Sequence, residues 1–120
     1  MLEDVNLRCE PGWAVSASSV AVVSKVIAVK NNVGLIHLND GIYGGLSEVN
    51  FLDCKFPVSV FDRAGRSIIA TYRDWRLTGP TCDSSDMIKR KYRLPETIKP
   101  GDYVVFWYAW NIFSFYYYAI

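Results

Sequence analysis

Residues 79–86 of this 120-residue chain, Gly79-Pro80-Thr81-Cys82-Asp83-Ser84-Ser85-Asp86, set a thiol beside a carboxylate within a run of turn-forming residues. A thiol of suitable pKa donates a proton, and a carboxylate in a water-poor pocket pairs with an ammonium group. The residue types alone leave structural readings open: cysteine packs as a small hydrophobe, and an aspartate after Thr-Cys caps a turn. Two further carboxylate–glycine groupings are Glu10-Pro11-Gly12 and Asn39-Asp40-Gly41, with Glu48 and Asp53 a short way past the second. His37 is the one histidine, and its apolar neighbours mark it as a packed or edge residue. One histidine and three dispersed cysteines (Cys9, Cys54, Cys82) form no recognisable ligand set, so no metal is expected. There is also no glycine-rich phosphate loop, Ser-His-Asp set or HExxH pattern.

The elements that must position these residues read as strands. Residues 19–30 hold six valines or isoleucines and run into Asn31-Asn32-Val33-Gly34, a turn signal that lets residues 35–38 return as a hairpin partner. Asn39-Asp40-Gly41 is a second turn. Residues 58–61 and 67–72 flank Asp62-Arg63-Ala64-Gly65-Arg66 and are expected to form another hairpin. Thr78-Gly79-Pro80 interrupts regular structure, Asp83-Ser84-Ser85-Asp86 is expected to cap one helical turn, and Lys99-Pro100-Gly101-Asp102 is a loop. Short strands punctuated by turns predict a single all-β domain over 1–120, a Greek-key-like antiparallel barrel or sandwich with at most one or two short helices.

Length and charge narrow the function classes. One domain of this size buries enough surface to fold without a disulfide or metal. Thirteen basic against twelve acidic residues give no field that would draw nucleic acid or an anionic membrane. The densest basic cluster (Lys89, Arg90, Lys91, Arg93) reads as a solvated face. Three cysteines without CxxC spacing suit reduced thiols in the cytoplasm, and Met1-Leu2-Glu3-Asp4 does not open a secretory signal. Residues 103–120 carry no charge, near the minimum for a membrane helix, but ten of the eighteen aromatics lie there. Aromatics favour half-buried strands, and each tyrosine hydroxyl needs a partner, so no membrane span is expected.

Read together and in order, these motifs resemble the fold-type III PLP-dependent decarboxylases of ornithine, lysine, arginine and diaminopimelate. Glu10-Pro11-Gly12 is similar to that family's EPGR, and Asn39-Asp40-Gly41-Ile42-Tyr43-Gly44-Gly45-Leu46 to its NDGxYG or GxxGGL segment. Residues 79–86 match its GPTCDSxD motif, and Leu94-Pro95 with Pro100-Gly101-Asp102-Tyr103 its LP…GD(W/Y) stretch. The likeness spans roughly residues 10–106 and is to the β-domain that follows a PLP-carrying barrel. The resemblance implies that Cys82 protonates the carbon left after decarboxylation, on the cofactor of a second subunit. It implies that Asp83 binds the distal amine of the substrate, with Glu48 and Asp53 as further substrate-binding candidates. Glu10 would pair with the pyridine nitrogen, and Gly12 would let backbone approach the phosphate.

Departures from the family pattern fall on the phosphate contacts. Trp13 stands where EPGR has arginine, and an indole N–H cannot replace a guanidinium fork. Ile112 falls near the phosphate-binding tyrosine of the family's GAY, and an FNGF-like segment is replaced by Phe113-Ser114-Phe115-Tyr116-Tyr117-Tyr118. No lysine here sits in the context of the Schiff-base lysine. The expectation is therefore a stand-alone β-domain homologue, non-catalytic in isolation and without a cofactor of its own, that forms a homo-oligomer (a dimer) or pairs with a barrel-domain partner. One alternative is half of a split decarboxylase, which would use PLP once a barrel completes it. The other is a small-molecule module that has abandoned PLP, with Trp13, Trp107 and Trp110 lining an aromatic pocket.

Overall fold

The computed structural model describes residue 8 and residues 13–109. Its elements are α1 (Trp13–Ser16), a 3-10 turn (Ala17–Ser19), β1 (Ala21–Lys30), β2 (Leu35–Leu38), α2 (Ser47–Phe51), β3 (Val58–Phe61), β4 (Tyr72–Thr78), β5 (Tyr92–Pro95) and β6 (Tyr103–Trp107). All six strands join one barrel-like sheet in the order β3-β6-β1-β2-β4-β5. The all-β expectation holds, with two helices of only four and five residues.

β1 is the spine of the sheet. Its first half pairs with β6 (Ala21↔Trp107 to Lys25↔Tyr103) and its second half with β2 (Val26↔Leu38 to Lys30↔Leu35). The register shifts between Val26 and Ala28, next to the point where the strand changes partner. Such an irregularity bends a strand and increases its twist, which curls the sheet toward closure. The β1–β2 turn is the hairpin expected from Asn31-Asn32-Val33-Gly34. The Val33 and Gly34 N–H groups donate to the carbonyls of Lys30 and Asn31, and Gly34 takes φ +62°.

Alternation along the strands sorts side chains into core and surface. On β1, Ser24 and Val26 are buried while Val23, Lys25 and Ile27 are exposed. Ile36, Leu38, Trp75, Leu77, Leu94, Val104 and Phe106 fill the interior from β2, β4, β5 and β6. Each such side chain contributes roughly 1.5–3 kcal/mol through burial. Tyr92 meets Phe106 edge to face at 5.6 Å, and its hydroxyl accepts the Phe56 N–H. Burial pushes the Tyr92 hydroxyl pKa up.

Three local expectations are corrected. β2 and β4 run parallel (Leu35↔Arg76, Ile36↔Leu77, His37↔Thr78), so the sheet is mixed rather than antiparallel. The long connection through α2 and β3 takes the chain to the far edge of the sheet and back, which a tight hairpin cannot do. Residues 67–72 return along β3 only briefly: Ser67 bridges Phe61, the Ile68 N–H donates to the Val60 carbonyl at 2.9 Å and the Asp62 N–H to the Arg66 carbonyl at 2.9 Å. The expected hairpin is therefore short, and the next strand starts only at Tyr72. Asp62 explains the tight turn before it, since its carboxylate accepts the N–H groups of Ala64 and Arg66. Residues 83–86 form no helical turn. The Ser85 N–H bonds back to the Asp83 carboxylate at 2.8 Å and the Asp86 N–H to the Asp83 carbonyl at 3.0 Å, closing a compact loop.

Among the described residues, no helix is long and apolar enough to cross a membrane. The uncharged segment begins as β6, and residues 110–120, with the expectations placed on Trp110, Ile112 and the aromatic run, lie outside the described residues.

Candidate functional site

Two loops at one end of the sheet build the site. The first follows β2, where Asp40 turns its carboxylate back onto its own loop and accepts the N–H groups of Gly41 (2.8 Å) and Gly45 (3.1 Å). The Gly44 and Leu46 N–H groups donate to the Gly41 carbonyl and tighten the same turn. A Cβ on Gly44 or Gly45 would run into the Asp40 carboxylate, so this packing requires glycine. The turn leaves Tyr43 exposed.

The second loop joins β4 to β5 and holds residues 79–86. Its base is closed by the Thr78 hydroxyl and the Gly79 N–H, both donating to the Asp86 carbonyl. Asp86 is fully buried, and its carboxylate accepts the Ile42 N–H (3.1 Å), the Thr81 N–H (3.1 Å) and the Thr81 hydroxyl (2.8 Å). At the exposed tip, Asp83 accepts the Tyr43 hydroxyl at 2.5 Å. That bond, followed by the Ser85 N–H, holds the Asp83 carboxyl below the usual carboxylate range. The same bond raises the Tyr43 hydroxyl pKa, because losing its proton would leave two anions in contact. Cys82, beside Asp83, is an exposed free thiol.

A cleft of about 840 Å³ opens where these loops meet the start of β1. Val20 to Val23 form one wall, and Asn39 to Gly41, Tyr43 to Gly45, Pro80, Thr81 and Asp86 complete it. Among the described residues its acidic side chains are Asp40 and Asp86, and neither lysine nor arginine lines it. The Gly41, Gly45, Ile42 and Thr81 N–H groups that could have met an anion are spent on those carboxylates. The lining suits a neutral or cationic group and repels a phosphate. The lining of this cleft therefore does not fit a phosphate such as that of PLP, which needs donors and positive charge.

The other sequence-derived candidates are dispersed. Glu48 lies half-buried on α2. Asp53, at φ +46° just beyond α2, is bound by Arg90 through two nitrogens at 3.0 and 2.9 Å. The guanidinium bonds hold its carboxyl below the usual range. Neither residue lines the cleft. Glu10 and Gly12 lie outside the described residues. His37 is half-buried on β2, and its Nε2 has no hydrogen-bond partner among the described residues. Trp107 donates to the Ser59 hydroxyl at 2.9 Å and does not line the cleft; Trp110 lies outside the described residues. Among the described residues no group of three or more potential ligands gathers for a metal.

The sequence reading gave no role to Tyr43 or Asp86, the two residues that bind the loops together. The available signal was glycine at 41 and at 79, since a Cβ on either would collide with the Asp86 carboxylate.

Fold and loops together define a class of domain. Residues 14–109 match the model of the pyridoxal-dependent decarboxylase C-terminal sheet domain, and the chain belongs to that family. Among relatives, it is 32% identical over 114 residues to ornithine decarboxylase of Schizosaccharomyces pombe, covering 85% of this chain and 26% of that protein. Among solved structures, it superposes on lysine/ornithine decarboxylase complexed with cadaverine from Vibrio vulnificus with TM-score 0.69 and 31% identity, covering 83% of this chain and 26% of that one. It also superposes on the Paramecium bursaria Chlorella virus arginine decarboxylase bound to agmatine, with TM-score 0.69 and 28% identity over 82% of this chain and 27% of that one. The chain thus spans about a quarter of the proteins it matches.

Proposed function

We propose that this chain acts as a decarboxylase β-domain that is non-catalytic by itself and works by oligomerising or by pairing with a barrel-type partner that carries PLP. In that assembly the exposed tip of the 79–86 loop is the working part. Cys82 supplies a proton to the substrate carbon after carbon dioxide leaves, and Asp83 holds the distal cationic group of a basic amino acid. The observation that carries this reading is the pairing of an exposed thiol with an exposed, ionised carboxylate on a loop pinned by hydrogen bonds to the buried Asp86. That tip points chemistry outward, toward another body. Asp83 is favoured over Asp53 as the amine partner because Arg90 already neutralises Asp53. The relatives complexed with cadaverine and agmatine bind basic amines, which supports the choice of substrate class.

The test is co-expression with the barrel portion of a basic amino-acid decarboxylase, cut before its own sheet domain. The expected result is a co-purifying complex that releases carbon dioxide from lysine, ornithine or arginine and loses that activity with Cys82→Ala or Asp83→Ala. A chain that stays monomeric and captures no barrel contradicts the proposal.

The cleft favours a second reading, a module that takes a neutral or cationic small molecule against Asp40 and Asp86. A ligand whose binding survives Cys82→Ala and Asp83→Ala would select it.

A further inference from the structure

We propose that Asp86 is a positioning residue whose buried carboxylate locks the turn carrying Tyr43 to the loop carrying Cys82 and Asp83, and so holds the Asp83 carboxylate against the Tyr43 hydroxyl. The proposal rests on the preceding reading only for what Cys82 and Asp83 are for; the geometry stands apart from it.

Three observations converge. Asp86 is fully buried, and its carboxylate oxygens are divided between the two loops: Oδ1 accepts the Ile42 N–H and Oδ2 accepts the N–H and hydroxyl of Thr81. Each contact falls immediately before a residue of the exposed site, Ile42 before Tyr43 and Thr81 before Cys82. The same two loops then meet a second time at the tip, where Tyr43 donates to Asp83. A buried link at the base and an exposed link at the tip brace one another, so neither loop can shift without straining both. Finally, the side chain sits in a cradle that only glycine can form, because a Cβ at Gly41 or Gly79 would occupy the space of its oxygens.

An asparagine at position 86 keeps the shape and weakens the brace. It has one acceptor oxygen for donors on both sides, and its NH₂ would face a backbone N–H, of Ile42 or of Thr81, that cannot accept it; only the Thr81 hydroxyl could turn to do so. The expected consequence is local: the two loops part at the base and the tip hydrogen bond weakens.

The test reads the Asp83 carboxyl by carbon-detected NMR titration in the chain as it stands and in Tyr43→Phe, Asp86→Asn and Thr81→Val. Tyr43→Phe removes the tip bond and sets the reference rise of the Asp83 pKa. Asp86→Asn is expected to reproduce at least half of that rise, and Thr81→Val, which keeps the Asp86 charge and deletes one donor, a smaller rise of the same sign. The sign is diagnostic. Losing the Asp86 charge with the loops unmoved would make Asp83 easier to ionise and lower its pKa, whereas losing the Tyr43 hydrogen bond raises it. Ser85, the other donor to Asp83, is unchanged in every variant. An Asp83 titration that stays put or falls in the folded variants overturns the proposal; should Asp86→Asn fail to fold, Thr81→Val decides alone. A null result here leaves the decarboxylase reading standing, and a failed decarboxylase assay leaves this brace untouched.

Discussion

Asp83 is exposed, yet both of its oxygens are engaged, one by Tyr43 and one by the Ser85 N–H. Its carboxyl is held below the ordinary range, first by the Tyr43 hydroxyl. A depressed folded-state pKa adds stability that is present above the unfolded pKa of about 3.9 and disappears as pH falls through the lower folded value. Thermal melts of the native chain and of Asp83→Asn should therefore differ at neutral pH and converge below about pH 4. Equal spacing of the two melting curves at every pH would show that Asp83 contributes nothing through its charge. Asp53 behaves alike for a different reason, since it is Arg90 that keeps it ionised. If Asp83 rather than Asp53 holds the substrate's distal amine, Arg90→Ala should leave the activity of a barrel-completed assembly within a few-fold of the native chain, while Asp83→Ala should abolish it. Steady-state kinetics on basic amino acids checks both.

At the scale of elements, the two site loops depend on glycine at places where close approach excludes a side chain. Gly79→Ala would press a methyl into the Asp86 carboxylate, and overpacking of this kind costs about 1–3 kcal/mol. Urea denaturation should show a lower midpoint with an unchanged slope. Gly65, at φ +77° with open space around it, should lose stability on change to alanine for the backbone reason alone, about 1–2 kcal/mol. The β1–β2 hairpin was legible because residues 31–34 announce a turn and β-branched residues fill both flanks. The parallel contact between β2 and β4 was not, because register between distant strands is decided by the packing of Ile36 and Leu77 into one core. Residues 67–72 are strand-like by composition, but only Ser67 and Ile68 pair back onto β3, and the next strand begins only at Tyr72. α2 is only five residues long, too short for a 3.6-residue period to emerge. Cys82 and Asp83 stand out as a thiol beside a carboxylate, whereas Asp86 is invisible as a brace until the fold brings it partners 5 and 44 residues away.

At the scale of the whole molecule, several large apolar side chains are exposed among the described residues. Val23 (59% exposed) and Ile27 (51%) line the outside of β1, Phe51 (84%) ends α2 and Ile69 (87%) precedes β4. The proposed oligomer or barrel pairing is expected to cover some of them. Light scattering coupled to gel filtration should accordingly find a dimer or larger assembly, and a monomer at all accessible concentrations would argue against self-association. If this chain is one half of an active site, as proposed, it brings Cys82 and Asp83 to the substrate and depends on a partner to hold the phosphorylated cofactor. The most direct measurement is a PLP titration of the isolated chain, followed by visible absorption before and after dialysis, with carbon dioxide release from lysine, ornithine, arginine and diaminopimelate. The account predicts no band that survives dialysis and no turnover. A persistent band accompanied by carbon dioxide release would contradict it, because the chain would then hold and use the cofactor alone.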